Sequence, residues 1–158
     1  MAGTASADAV AGRAWLLLAA GADLVAAMAH LACIVVGAPA YRFMGAGEQM
    51  AQLHLAGDPH PTRVTLAIAA ILGLWAAYAL SGAGTIRRLP FLRSVLLAIS
   101  AVCMLRGLGF VLLQPWFPGN SLLFWIVSSG ICLLLGLLHG IGLWRSRARL
   151  SIRPPGGR

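Results

Sequence analysis

Lysine is absent from this chain and acid is scarce: Asp8, Asp23, Glu48 and Asp58 stand against 12 basic residues, all arginine, for a formal net charge of +8. Charged residues make up only 10% of the sequence, far below the roughly one quarter of a typical soluble domain, which argues against a water-soluble surface. Cysteine is also sparse. Cys33, Cys103 and Cys132 fall inside apolar runs, with no CxxC or Cys/His spacing that would build a metal site, so they read as small packing residues. A nucleophile elbow, a phosphate-binding glycine loop and paired catalytic carboxylates are missing too, and nothing in the sequence asks for a cofactor. The reading leans away from an enzyme. Nucleic acid is not the expected partner either, because most arginines flank the apolar runs, where membrane topology explains them.

What the chain has in quantity is apolar length. It is 59% hydrophobic, and its apolar residues gather into four runs near 13–37, 62–80, 91–113 and 121–144. A helix rises about 1.5 Å per residue, so roughly 20 residues cross a hydrocarbon core of about 30 Å. The runs lack the alternating polar positions of a barrel strand, and a backbone in lipid must satisfy its own hydrogen bonds, so helices are expected. The predicted fold is all-α: an integral membrane four-helix bundle with a short amphipathic helix in the first outer loop. Residues 1–12 are expected to be a disordered tail, 13–144 the transmembrane domain, and 145–158 a basic cytoplasmic tail. Ala38-Pro39-Ala40 resembles a signal-peptidase site, but the run before it is too long for a signal sequence and carries Asp23 and His30, so it is read as a retained span.

Punctuation supports these limits. Gly57 with Asp58-Pro59 closes a helix over 47–55 that sets Met50 and Leu53 on one face and Glu48 and Gln52 on another. Pro61 suits a first helical turn, Ser81-Gly82-Ala83-Gly84 a last one, and Gln114-Pro115 breaks the third run. With both termini inside, Arg13, Arg87, Arg88, Arg93, Arg145, Arg147, Arg149, Arg153 and Arg158 are cytoplasmic, and only Arg42 and Arg63 are outside, as the positive-inside rule requires. Trp15, Trp116 and Trp144 fall near the boundaries as interfacial anchors. The heavy use of alanine, glycine and arginine suggests a bacterial genome rich in GC, and so a bacterial inner membrane as location.

Ionisable groups at membrane depth are costly and hence informative. Asp23 and Arg106 lie roughly 14 Å and 18 Å in from the cytoplasmic boundary at about 1.5 Å per residue, and this match predicts an intramembrane Asp23–Arg106 pair. His30 follows Asp23 by two helical turns on nearly the same face. A ligand site would then combine Asp23, His30 and Arg106 with Arg42, Glu48 and His54 of the outer loop. A metal held by His30, Glu48, His54 and His60 matches no ligand-spacing motif and is not expected. His139, at roughly 7 Å depth, is too far from His30 for both to ligate one haem, and reads as a packing residue, with Tyr78 its nearest candidate partner. Ser128, Cys132, Gly136 and Gly140 form a small-residue ridge suited to close helix packing within the monomer or, alternatively, to dimerisation.

The segments Tyr41-Arg42-Phe43-Met44-Gly45-Ala46-Gly47-Glu48, Ser81-Gly82-Ala83-Gly84 through Leu89-Pro90-Phe91-Leu92-Arg93, and Leu105-Arg106-Gly107 resemble a group of small uncharacterised bacterial four-span inner-membrane proteins. The resemblance implies the fold and lends no activity. The expected function is a bundle that binds or moves a small amphiphile, a lipid or quinone, through an intramembrane polar pocket. Its rivals are an accessory subunit docked on a larger membrane complex, or a homo-oligomer, and an enzyme using Glu48 with His54 or His60 at the outer surface.

Overall fold

The computed structural model describes residues 2–116 and 119–151, with side chains described for 10–116, 119–147 and 150. Among these residues the chain is all-helical. Helix α1 (Ala2–Val36) leads to two short helices, α2 (Ala38–Phe43) and α3 (Glu48–Leu55). Then come α4 (His60–Ala83), α5 (Leu92–Leu108), α6 (Phe110–Leu113), a 3-10 turn (Gln114–Trp116) and α7 (Leu122–Ser151).

Two expected limits move outward. The segment 1–12, read as a disordered tail, continues α1 from Ala2. Alanine is the best helix former, and lengthening an existing helix avoids the cost of nucleation. At the other end, α7 carries its helix through the start of the basic tail to Ser151. Elsewhere glycine ends the helices. Gly37 (φ 80°) stops α1, Gly84 (φ 73°) caps α4 in the left-handed conformation, and Gly57 (φ 75°) follows α3.

The third apolar run is not one straight helix. α5 ends at Leu108, and α6 with the following turn leaves it at an angle of 72°. At the break the Gly109 amide still donates to the Leu105 carbonyl at 2.8 Å, while the Leu112 amide reaches only the Gly109 carbonyl, at 3.0 Å. Glycine weakens the helix there, and Pro115 has no amide to restore its register. Three helical stretches, Val10–Val36, His60–Ala83 and Leu122–Arg147, are therefore long and apolar enough to cross a membrane, and a fourth exists if α5 and α6 form one bent span.

Contacts fix how the long helices run. Leu16 near the start of α1 clusters with Ala83 at the end of α4, Leu92 and Leu96 at the start of α5, and Leu150 near the end of α7. At the opposite end, Cys33 of α1 packs with Ala38, Tyr41 and Ala51 of the short helices, and Thr65 of α4 meets the Tyr41 hydroxyl at 3.4 Å. Asn120, just before α7, donates to the Gly45 carbonyl there at 3.0 Å. The four long elements therefore alternate in direction. α1 lies against α4 and α7, and α5 lies against α7. α1 and α5 face one another only across the diagonal.

The ridge on α7 packs within the monomer. Ser100 of α5 donates to the Gly136 carbonyl at 2.8 Å, and a Cβ at Gly136 would stand 2.9 Å from Met104 Cγ. Small residues let these two backbones approach. The outward faces are bare leucine, isoleucine and valine: Leu18, Val25, Ile71, Leu74, Leu97, Val102, Leu105, Ile126 and Ile131 are all exposed.

Candidate functional site

Asp23 and His139 are the most deeply placed ionisable groups, both 0% exposed. α1 presents the carboxylate and α7 the imidazole, with Nε2 3.2 Å from Oδ2. Around them Ala19, Ala20, Ala76, Ala79 and Leu138 form an apolar cluster with no room for water-exposed charge. The other ring nitrogen, Nδ1, lies 3.0 Å from the Leu135 carbonyl. A carbonyl only accepts, so Nδ1 carries a proton. A further proton on Nε2 makes an imidazolium beside a carboxylate, and the same proton on the acid leaves both neutral. Either way the pair has no net charge, the condition for burying an acid in an apolar core. The contact is within ion-pair reach but off hydrogen-bond alignment, and Asp23 Oδ1 has no hydrogen-bond partner.

The expected Asp23–Arg106 pair does not form. Asp23 meets His139 because α1 is a neighbour of α7, whereas α5 lies across the diagonal. Counting depth along the helices favoured Arg106. From the contact of Gly12 with Ser146, Asp23 stands 11 residues up α1 (23 − 12) and His139 7 residues up α7 (146 − 139). That is a mismatch of roughly 6 Å at about 1.5 Å per residue. The helices are antiparallel and side chains tilt toward the N-terminus of their own helix, so Asp23 leans down and His139 leans up, and the gap closes. Tyr78, the other partner expected for His139, instead donates its hydroxyl to the Pro90 carbonyl at 3.3 Å.

Arg106 occupies a second place, near the end of α5 just before the Gly109 break. Its Nη2 donates to Ser128 Oγ at 3.1 Å, and its guanidinium lies over the Trp125 ring at 5.3 Å from the centroid. Phe110 stacks on the same indole at 6.5 Å. Nη1 is buried without a hydrogen-bond partner, and no carboxylate of the described residues pairs with this cation.

The loop residues form a third place. Arg42 grips Glu48 with two bonds of 2.7 Å, from Nε and Nη2, and Gln52 adds a third at 2.7 Å. These bonds hold the Glu48 carboxyl down to about 2, with the bond from Arg42 contributing most. A carboxylate so held is a poor base and carries no proton to give at neutral pH, which weighs against Glu48 as a catalytic acid or base. His54 tilts against Tyr41, ring centroids 5.4 Å apart. His60 is tied through its amide to Asp58 Oδ1 at 2.7 Å. His30 turns back on its own helix, Nδ1 2.8 Å from the Ala26 carbonyl, and stays clear of the Asp23 pair. No group of three or more metal-ligating side chains exists among the described residues.

The six residues expected to share one pocket are thus divided: Asp23 in a sealed pair, Arg106 apart, Arg42, Glu48 and His54 in the loop, and His30 bonded back to its own helix. His139, expected only to pack, is the residue that the sequence reading undervalued. Its position along α7 could not reveal the partner, but a lone acid and a lone histidine on different apolar helices were the available signal. No family model, curated protein or solved structure matches the chain.

Proposed function

We propose that this chain is a multi-pass protein of a bacterial inner membrane, a four-helix bundle with both termini on the cytoplasmic side, that binds a small amphiphile from the bilayer. Apolar outward faces and concealed ionisable groups support the membrane reading, since a soluble protein rarely leaves so much leucine and isoleucine in water. Arg87, Arg88, Arg93, Arg145 and Arg147 sit at the end that holds the start of α1 and the end of α7, and support the orientation. Arg153 and Arg158 lie outside the described residues, as does the side chain of Arg149. The resemblance to small bacterial four-span proteins agrees with this layout.

The observation that carries the binding reading is where α4 and α5 part. Near their connecting turn, Trp75 and Tyr78 of α4 pack on the cluster of Ile99 and Cys103 with Val95. The same face of α4 continues as Ile71 and Ile68, which are 49% and 37% exposed, while α5 ends at Leu108 and α6 leaves it at 72°. An apolar seam thus opens sideways beside Arg106, where a lipid-like molecule has a chain-shaped surface and a polar group within reach. The test is thermal unfolding of the purified protein in neutral detergent against a panel of lipids and quinones. A ligand-dependent rise in Tm that Arg106→Leu removes supports the reading. A panel without any shift, or a shift that Arg106→Leu leaves intact, contradicts it.

A further inference from the structure

Resting on that amphiphile reading, we infer that the ligand's head is anionic, a carboxylate or a phosphate ester, and that Arg106 receives it. Among the described residues no acid pairs with this cation. Asp23 is committed to His139, Glu48 to Arg42, and Asp58 to the His60 amide. Asp8 lies in the first turns of α1, at the opposite end of the long helices. Every other basic residue whose side chain is described lies in the loop 42–63 or toward the arginine-rich end, whereas Arg106 is set in an apolar helix.

The two groups that hold Arg106 orient it without neutralising it. Ser128 accepts one hydrogen bond through its hydroxyl, and the Trp125 ring offers its π face. Both leave the positive charge uncompensated and Nη1 unbonded. A planar fork fixed in this way matches two oxygens of a carboxylate or phosphate, and an acid in that position supplies both the missing charge and the missing acceptors. A quinone carbonyl or a sterol hydroxyl supplies an acceptor and no charge.

Depth agrees with a head group. Trp125 and Ser128 lie within the first two turns of α7, which starts at Leu122, so the guanidinium sits roughly 4–9 Å below the start of that helix. This is where the polar head of an amphiphile meets its chain. From there the exposed Ile71 and Ile68 of α4 and Val102 and Leu105 of α5 offer apolar surface to the tail. α5 ends at Leu108, and Phe110 at the start of α6 lies against Trp125 of α7.

The test uses the full chain in neutral detergent and four probes: oleate, an oleoyl lysophosphatidate, methyl oleate and a decyl quinone. Binding is read by tryptophan fluorescence of the Trp125 environment and by Tm. The expected result is binding of oleate, the phosphate ester or both, with the two neutral probes failing. The stronger of the first two identifies a carboxylate or a phosphate source. Arg106→Leu weakens that binding about 10–100-fold, the size of one or two lost charge-assisted hydrogen bonds. Arg106→Lys keeps the charge but not the fork and gives an intermediate loss, so the comparison survives if the leucine variant fails to fold. Arg63→Leu, which removes an exposed arginine from the first turn of α4, leaves binding unchanged. Equal binding of charged and neutral probes, or equal losses in Arg106→Leu and Arg63→Leu, overturns the anionic head while leaving the amphiphile reading standing. Binding of no probe at all overturns both.

Discussion

The two ionisable centres set among the apolar helices, one fully buried and one half-buried, meet these surroundings in opposite ways. Asp23 and His139 face each other across the α1–α7 contact, fully enclosed and neutral as a pair. Arg106 stands at the edge of the α5–α7 contact, held by a hydroxyl and an indole ring, with a nitrogen left unbonded. The first centre is complete within the fold and joins two helices that have no covalent link nearby. The second is complete only with an acceptor from elsewhere. Burial alone therefore does not mark a site: what separates a structural clamp from a binding group is whether the fold itself supplies the counter-charge.

The largest effect should come from breaking the sealed centre. His139→Leu leaves the Asp23 carboxylate with no partner in an apolar core, and the expected loss is about 3–5 kcal/mol of stability, read by denaturant unfolding in detergent. The double change Asp23→Leu with His139→Leu should recover most of that loss, because two apolar side chains fill the gap without burying a charge. A double variant no more stable than His139→Leu alone would break the pairing.

A middle-sized effect tests the helix contact beside which Arg106 is held. Gly136→Val should cost about 1–3 kcal/mol, since its Cβ alone would come within 3.1 Å of the Met104 backbone nitrogen. Gly130→Val on the same helix, with nothing within 4 Å of its Cβ position, should stay within about 0.5 kcal/mol of the parent. Equal losses at both positions would show that the α5–α7 approach is not what makes the ridge small.

The smallest effect belongs to the loop. Glu48 has a folded value near 2 against an ordinary 4.5, so its contribution is present above the ordinary value and is lost as pH falls toward 2. In an unfolding series across that window Glu48→Gln should lose less stability than the parent. Both side chains are exposed, and screening by water and salt keeps the difference small. Parallel pH profiles would mean that the Arg42–Glu48 bridge contributes nothing to the cap over the helix ends.

Much of the helix pattern was legible in the sequence because apolar length, glycine caps and proline positions report on the chain's own backbone. The limits at Gly37, Gly57 and Gly84 followed from local chemistry alone. The bend at Gly109 was harder, since Gly107, Gly109 and Pro115 lie close enough together that any of them could end the run. Partner choice was not legible. Which helix stands beside α1 depends on packing of Ala19, Ala20, Ala76 and Leu138, and residue counting along single helices contains no information about neighbours. Close packing along the ridge from Ser128 to Gly140 was easier to foresee, because small residues on one face admit few other uses.

The contrast between the two centres is tested most directly by one comparison, the unfolding free energy of Arg106→Leu beside that of His139→Leu with no amphiphile added. Arg106→Leu is expected to stay within about 1 kcal/mol of the parent or to rise above it, since a half-buried cation with no counter-charge is exchanged for a hydrocarbon, while His139→Leu falls steeply. A loss in Arg106→Leu as deep as that in His139→Leu would contradict the contrast, because the guanidinium would then be neutralised inside the fold and have nothing to offer a ligand.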